Sequence, residues 1–401
     1  MEKYIFIGGI YPEIKVDEIM DKFGCLPQDA ADMFQKSLIN GLEDNLKKPV
    51  TVFNTYFLPS SFFRFEKVTP YEWDGKYGVN YNLSYTRNRI FGFNSKCNSI
   101  VKSVSAWIDK NAVNDSINVI VYPAYFPFLK AVTSLKKRYS IKVCLVVPDL
   151  PDFMGLTSNR SFYNKLSEDF SRKSFDKYIS CVDSFVFLTE YMSESVNKYN
   201  KPFRVIEGIA PYGYKYGLRD NKVTQRRIVY SGRLQLKYGI DNYLKAISLI
   251  DDDTLLFDFY GNGEGVDIIK NFSKKDSRVR YMGYLLADEL HEIHQNSLLL
   301  INPRQNEFEY TKYSFPSKTM EYMMSGRPVI AYMLDGMPEE YSEYVFSPTD
   351  DSPQALAEII NRCASLSDEK LTEFGEHARS FVLNNKNASS QSLKILELFK
   401  I

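Results

Sequence analysis

The chain has 401 residues, 44% of them hydrophobic and 25% charged, too long for one ordinary domain and apolar enough for two sizeable cores. Lys plus Arg and Asp plus Glu each total 50, so the formal net charge is zero and no overall basic excess points to nucleic acid as a partner. The 5 cysteines include no C-x-x-C pair, which argues against a disulfide framework or a zinc site and fits a reducing, cytoplasmic setting.

In chain order, the N-terminal stretch Met1 to Gly9 reads as a first strand running into a glycine turn. It lacks the long apolar segment and small-residue cleavage site of a signal peptide. No apolar run approaches the ~20 residues that a membrane span needs. Short runs rich in β-branched and aromatic residues predict strands at 4–8, 50–54, 118–122, 142–147, 184–189 and 203–207. A second series falls at 227–231, 255–260, 279–283, 298–302 and 328–332. Strands separated by amphipathic stretches imply parallel sheets covered by helices. The expected class is α/β, with two doubly wound domains facing a cleft.

Between the two series lies a break with Gly208, Pro211, Gly213 and Gly217, followed by polar residues 219–222, the best candidate for a linker. The expected domains are 1–207 and 223–383, followed by a C-terminal segment, 384–401, packing back on the first. Its helix, expected from 389, has apolar Leu393, Ile395, Leu396, Leu398 and Phe399.

The first domain carries aromatic residues beside basic ones. Phe53, Tyr56, Phe57 and Pro59 precede Phe62, Phe63, Arg64 and Phe65; Phe126, Phe128 and Lys130 precede Lys136, Lys137, Arg138 and Tyr139. Phe162, Tyr163, Leu166 and Phe170 follow at helical spacing, with Lys165, Arg172, Lys173 and Lys177 around them. Such stretches suit either core aromatics with solvated lysines or a surface touching anionic lipid headgroups at the inner face of the membrane.

The second domain carries the chemistry. Its first strand ends in Ser231-Gly232-Arg233, with Lys237 close behind and a helix expected near Asp241. Glycine lets a ligand approach the backbone, arginine offers a planar fork to phosphate oxygens, and lysine adds a point charge. Further on, Tyr313-Ser314-Phe315-Pro316-Ser317-Lys318 reads as a helix start whose unpaired amides suit a phosphate. Glu321 lies one turn into that helix, within reach of ribose hydroxyls. Gly326 ends the helix. His291, His294 and His377 all lie in this half, the first two on an expected surface helix, so the first domain has no histidine acid or base.

Taken in order, these segments resemble the family-4 retaining glycosyltransferases of the GT-B fold, of bacterial cell-surface polysaccharide type. The resemblance includes Tyr260-Gly261-Asn262-Gly263-Glu264, Tyr281-Met282-Gly283-Tyr284, Ile301-Asn302-Pro303-Arg304 and the block 316–331. It implies a nucleotide-diphosphate sugar, UDP before GDP, as donor substrate, no cofactor and no metal. The acceptor would be a saccharide or polyprenyl-linked saccharide, bound by a cytoplasmic enzyme with peripheral membrane contact. Arg233 and Lys237 would bind the diphosphate and act with Asp149 in catalysis. Ser317 and Lys318 amides would contact a phosphate, Glu321 would hold the ribose, and Gly283 and Tyr284 would border the base. Gly8, Gly9, Gly232, Arg304, Tyr313, Ser314, Phe315 and Pro316 complete the donor set.

Three positions depart from the family pattern. Tyr313 stands where the first of two glutamates is usual, which leaves Glu307 or Glu309 to replace it. Tyr238 stands at a usual lysine position, and Pro148 at a usual histidine. A non-catalytic partner subunit that keeps the fold, or a nucleotide-sugar epimerase or hydrolase, are the rival readings.

Overall fold

In the computed structural model, residues 1–24, 28–58, 65–88, 90–150, 176–210 and 225–401 are described. They fall into two compact units, Met1–Tyr212 with Asn387–Ile401, and Gly213–Lys386. Several expectations lie outside the described residues: Cys25, Pro59, Phe62, Phe63, Arg64, the aromatic-basic stretch 162–173, and linker residues 211–222.

The first unit opens with β1 (Glu2–Gly8), α1 (Glu13–Phe23), α2 (Asp29–Leu46) and β2 (Val50–Asn54). Four short strands follow, β3 (Glu66–Val68), β4 (Tyr71–Asp74), β5 (Val79–Asn82) and β6 (Tyr85–Arg87). Then come α3 (Gly92–Asn111), β7 (Ser116–Val121), α4 (Phe126–Lys136), β8 (Ile141–Val147), β9 (Ser184–Phe187), α5 (Tyr191–Val196) and β10 (Phe203–Val205). The sheet order is β10-β9-β8-β7-β1-β2-β5-β4, with β4 antiparallel to β5 and the remaining pairs parallel; β3 and β6 form a separate antiparallel pair.

Ile5, Phe6 and Ile7 are all fully buried because both faces of β1 are covered, which is why a continuous apolar run marks this strand rather than an alternation. On one face Tyr4, Phe6, Val52, Ile120 and Val146 pack against Leu38 and Leu42 of α2. On the other, Phe53 meets Trp107 of α3 edge-on at 6.2 Å. Strands β3 to β6 had no expectation from sequence. Each is three or four residues long and rich in polar side chains, and β4 and β5 are joined by a tight turn in which the Gly75 N–H donates to the Gly78 carbonyl at 2.7 Å.

Helix α3 also buries a lysine. Lys96 is 8% exposed, donates from Nζ to the Tyr56 carbonyl at 2.9 Å, and lies 4.6 Å from the Tyr85 ring centroid and 5.3 Å from that of Tyr125. It has no carboxylate partner among the described residues, and burial pulls its ammonium down to about 7.

The second unit contains β11 (Arg227–Ser231), α6 (Ile240–Ile247), β12 (Leu256–Tyr260), α7 (Val266–Ser273), β13 (Val279–Gly283), α8 (Ala287–Gln295) and β14 (Leu299–Asn302). It continues with α9 (Ser317–Met324), β15 (Val329–Ala331), α10 (Pro353–Ala364) and α11 (Asp368–Asn385). All five strands are parallel, in the order β13-β12-β11-β14-β15. The expected α/β class therefore holds in both units. In this unit the chain reverses its direction of winding between β11 and β14, the place where open sheets of this kind leave a crevice at the carboxyl ends of the strands.

Mid-sheet, the fully buried Asp258 faces Arg280 across the ladder and accepts two guanidinium bonds, at 2.6 and 2.7 Å. That fork satisfies a carboxylate that would be costly to bury alone.

The chain ends in α12 (Ala388–Leu398), which belongs to the first unit and packs on α2. Gly41 permits the close approach: a Cβ there would lie 2.0 Å from the Ala388 carbonyl oxygen. Ile395, Leu396, Leu398 and Phe399 are buried in the core of the first unit, whereas Leu393 faces solvent.

Candidate functional site

A cavity of about 800 Å³ opens at the carboxyl ends of the second unit's strands, within the range of small-molecule sites. After β11 it is lined by Gly232, Arg233, Gln235 and Tyr238; after β12, by Gly261, Asn262 and Gly263; after β13, by Tyr284 and Leu285. Asn302 and Arg304 follow β14, and Phe315, Pro316, Ser317, Lys318 and Glu321 come from the start of α9.

Glycines let these loops stack. Gly261 has φ +128°, and a Cβ there would sit 1.7 Å from the Gly232 carbonyl oxygen, so no side chain fits. The Gly232 N–H in turn donates to the Tyr260 carbonyl at 2.8 Å, and the Leu234 N–H to the Asn262 carbonyl at 2.9 Å. Gly232, at φ +136°, also makes room for Lys318, whose Nζ lies 2.4 Å from where its Cβ would be.

Arg233 is exposed at the rim and has no ion pair or side-chain hydrogen bond among the described residues. The α9 N-terminus has Pro316 at its cap position and no side-chain cap, so its first amides stay available. Lys318 is held below its ordinary lysine range by burial, with nearby Glu321 pulling the other way. Arg304 lies 5.6 Å from the Tyr238 ring centroid and 5.0 Å from that of Tyr310, and donates from Nη2 to Ser314 Oγ at 2.7 Å. Exposed Tyr284 (64%) offers a ring at the β13 side. Together these groups suit an anion of two or more phosphates with a planar ring system attached.

The structure thus gathers nine of the expected residues around one cavity: Gly232, Arg233, Tyr284, Arg304, Phe315, Pro316, Ser317, Lys318 and Glu321. Gly283 ends β13, and Lys237, Tyr313 and Ser314 lie in the adjoining connections; none of the four lines it. The Lys237 ammonium is turned toward aromatic rings, 5.5 Å from Tyr238 and 5.6 Å from Tyr310. Neither Glu307 nor Glu309 reaches the lining, where Glu321 is the one carboxylate among the described residues.

Gly8, Gly9 and Asp149 belong to the first unit. There Gly8 and Gly9 form a packed turn at the end of β1. The Gly9 N–H already donates to Gln35 Oε1 at 3.0 Å, and a Cβ on Gly9 would lie 2.2 Å from the Phe57 ring. Asp149 follows β8. Its surface is exposed, yet the protein crowded around it at longer range raises its carboxyl above the usual range by desolvation.

Sequence reasoning placed His294 on the surface, and the structure overturns that. His294 is fully buried on α8, with Nε2 2.8 Å from Ser231 Oγ and its ring edge-on to Tyr322. The Ser231 N–H donates to Tyr322 Oη at 2.8 Å, and the Tyr322 hydroxyl donates to the Ser231 carbonyl at 2.9 Å. Burial, then the nearby Lys318 and His291, push His294 down to about 3, so it stays neutral at physiological pH. This network fixes the end of β11 under Gly232. Sequence reasoning also left Gln235, Tyr238 and the residues 261–263 out of the site. The Gly-Asn-Gly run at a strand end was the available signal.

Residues 225–365, roughly a third of the chain, match the family described as Glycosyl transferases group 1. The probable glycosyltransferase WbjE of Pseudomonas aeruginosa is 30% identical over 163 residues, which cover 38% of this chain and 38% of that relative's length. Sucrose-phosphate synthase from Thermosynechococcus elongatus is similar in structure over 99% of this chain and 98% of its own, with a TM-score of 0.63 at 13% identity. HepE of Anabaena, solved in complex with UDP, covers 99% of both chains with a TM-score of 0.58 at 13% identity. The fold is that of the GT-B glycosyltransferases.

Proposed function

We propose that the chain is a retaining glycosyltransferase that moves a sugar from a nucleotide-diphosphate sugar, UDP first, onto a saccharide or polyprenyl-linked saccharide during surface polysaccharide synthesis. The observation that carries the reading is the convergence on one cavity of Arg233, unpaired among the described residues, the uncapped start of α9 and Glu321. The UDP complex of a structural relative and the group 1 match over this unit support the same donor class.

In this mechanism, departure of the diphosphate builds negative charge on its outer phosphate oxygens. Arg233 and the α9 amides stabilise that charge as preorganised donors. Glu321 accepts hydrogen bonds from ribose hydroxyls, and Tyr284 stacks on the base. The acceptor hydroxyl attacks from the face the diphosphate leaves.

Exposed Phe65, Ile90 and Phe91 on the first unit support an encounter with a lipid-linked acceptor at the membrane surface. No helix among the described residues is long and apolar enough to cross a membrane.

The test is a panel of UDP-, GDP- and dTDP-sugars, scored by thermal shift of the full chain and then by transfer to lipid-linked and free saccharide acceptors. Stabilisation by a nucleotide sugar, followed by transfer with retained anomeric configuration, is the expected result. No stabilisation by any of them overturns the reading. Binding without transfer, together with stabilisation of another enzyme, would make the chain a non-catalytic subunit.

Two further outcomes follow. Glu321→Ala is expected to raise the donor KM about tenfold with little change in kcat, the pattern of an interaction equal in ground and transition states. A fall in kcat with an unchanged KM would remove Glu321 from the ribose. Transfer is also expected to survive EDTA, because side-chain cations and helix amides serve the diphosphate. Loss of activity in EDTA that magnesium or manganese restores would refute this.

A further inference from the structure

Arg304 has an environment that the donor reading leaves unexplained. It comes from the loop after β14, lines the cavity, and lies within stacking distance of both Tyr238 and Tyr310. One guanidinium nitrogen is fixed by Ser314 Oγ, and no carboxylate pairs with it among the described residues. Its Nε is buried without a close hydrogen-bond partner, as are Gln235 Oε1 in the same cavity wall and the Tyr310 hydroxyl, which interacts with the guanidinium. A buried donor of this kind costs free energy unless something supplies an acceptor. An arginine flanked by aromatic rings and tethered at one nitrogen is preorganised for an anion.

Charge decides which anion. Four charged side chains line the cavity: Arg233, Arg304, Lys318 and Glu321. Lys318 and Glu321 lie near enough to influence one another, and their charges offset. That leaves Arg233 and Arg304 as two uncompensated cations. The two phosphates of a bound donor each carry one negative charge, so the pair would bring the occupied site close to neutrality. Arg233 is exposed at the rim, whereas Arg304 is half-buried and held.

We propose that Arg304, seated beside Tyr238 and Tyr310, is the second cation of the diphosphate clamp and acts with Arg233 on the leaving group. This inference rests on the donor reading above. It assigns the diphosphate, rather than a carboxylate on the donor sugar, to this arginine.

Calorimetry on the full chain tests it, with UDP and UMP as probes and GDP and dTDP as alternatives. Arg304→Ala is expected to weaken UDP binding on the order of 30-fold, as for loss of one partner of a held charge pair, and to leave UMP binding within about threefold, since UMP lacks the outer phosphate. Arg304→Lys keeps a cation at the same place, and is expected to recover about tenfold in UDP affinity relative to Arg304→Ala.

Equal losses for UDP and UMP would mean a structural role and overturn the proposal, as would absence of rescue. A loss confined to UDP-glucuronate, with UDP and UDP-glucose unchanged, would reassign Arg304 to a sugar carboxylate. Should Arg304→Ala fail to fold, Arg304→Gln carries the same comparison. If the unmodified chain binds none of the nucleoside diphosphates, the donor reading itself fails and this inference with it. If it binds them and Arg304→Ala changes nothing, only this inference fails.

Discussion

Arg233→Ala is expected to lower turnover on the order of 100-fold, the usual cost of removing one preorganised electrostatic stabiliser. The guanidinium stands at the end of β11 with no competing partner among the described residues, so nothing has to be broken before it meets a phosphate. Its interaction grows as the sugar–oxygen bond breaks and charge accumulates on the leaving diphosphate. Interactions that strengthen in the transition state appear in kcat, so donor affinity should fall far less than turnover. Arg233→Lys should recover little, because an ammonium lacks the fork that spans two oxygens. Steady-state kinetics with a matched donor and acceptor provide the measurement. Unchanged kcat in Arg233→Ala would remove this residue from the leaving-group site, whatever its effect on KM.

The second large effect concerns stability and lies in the first unit. Lys96 titrates near 7 when folded and near its ordinary ~10.4 when unfolded. Between those values the unfolded chain holds the proton and the folded chain does not, so protonation favours unfolding. Stability from this group is greatest above the unfolded value, falls as pH drops through the window, and levels off below 7. The slope approaches ~1.4 kcal/mol per pH unit, and the whole window is worth on the order of 4 kcal/mol. Lys96→Met keeps the apolar stem and removes the titration. It should be more stable than the parent near neutrality by a few kcal/mol, and its stability should not rise with this slope between pH 7 and 9.5. Both tryptophans, Trp73 and Trp107, lie in the first unit, so denaturant titration followed by tryptophan fluorescence reads its unfolding. Parallel pH curves for the two proteins would show that Lys96 is charged when folded.

All eleven strands expected from sequence are present, with ends that shift by one or two residues. Fully buried parallel strands need uninterrupted apolar runs, and such runs are visible without a structure. The phosphate-type features were legible for the same local reason. A glycine-arginine pair after a strand and a proline-serine helix start are defined by neighbours in sequence, and the cavity gathers both. The terminal helix was legible from its apolar residues, although Leu393 faces solvent while Ile395 and Leu396 are buried, a division made by the helix α2 and the core it meets.

What local pattern could not contain was set by partners far along the chain. His294 looked like a surface histidine because its helix is polar around it, and only the end of β11, 63 residues away, gives it Ser231 and a buried place. Nothing in the sequence around Lys96 marks it out, and only the fold brings Phe57, Tyr85 and Tyr125 from separate segments around it. Lys237 and Arg304 were both expected in the site, yet Arg304 lines the cavity while the Lys237 ammonium turns to the rings of Tyr238 and Tyr310. A loop after β11 and a loop after β14 become neighbours only because the winding reverses between those two strands. Sequence by itself determined the α/β class, the strands and the two phosphate-type motifs, since each depends on burial and backbone conformation over a few residues. Tertiary structure decided which cations share the cavity and which polar groups are sealed from water, since charge pairing and desolvation depend on distance in space rather than along the chain.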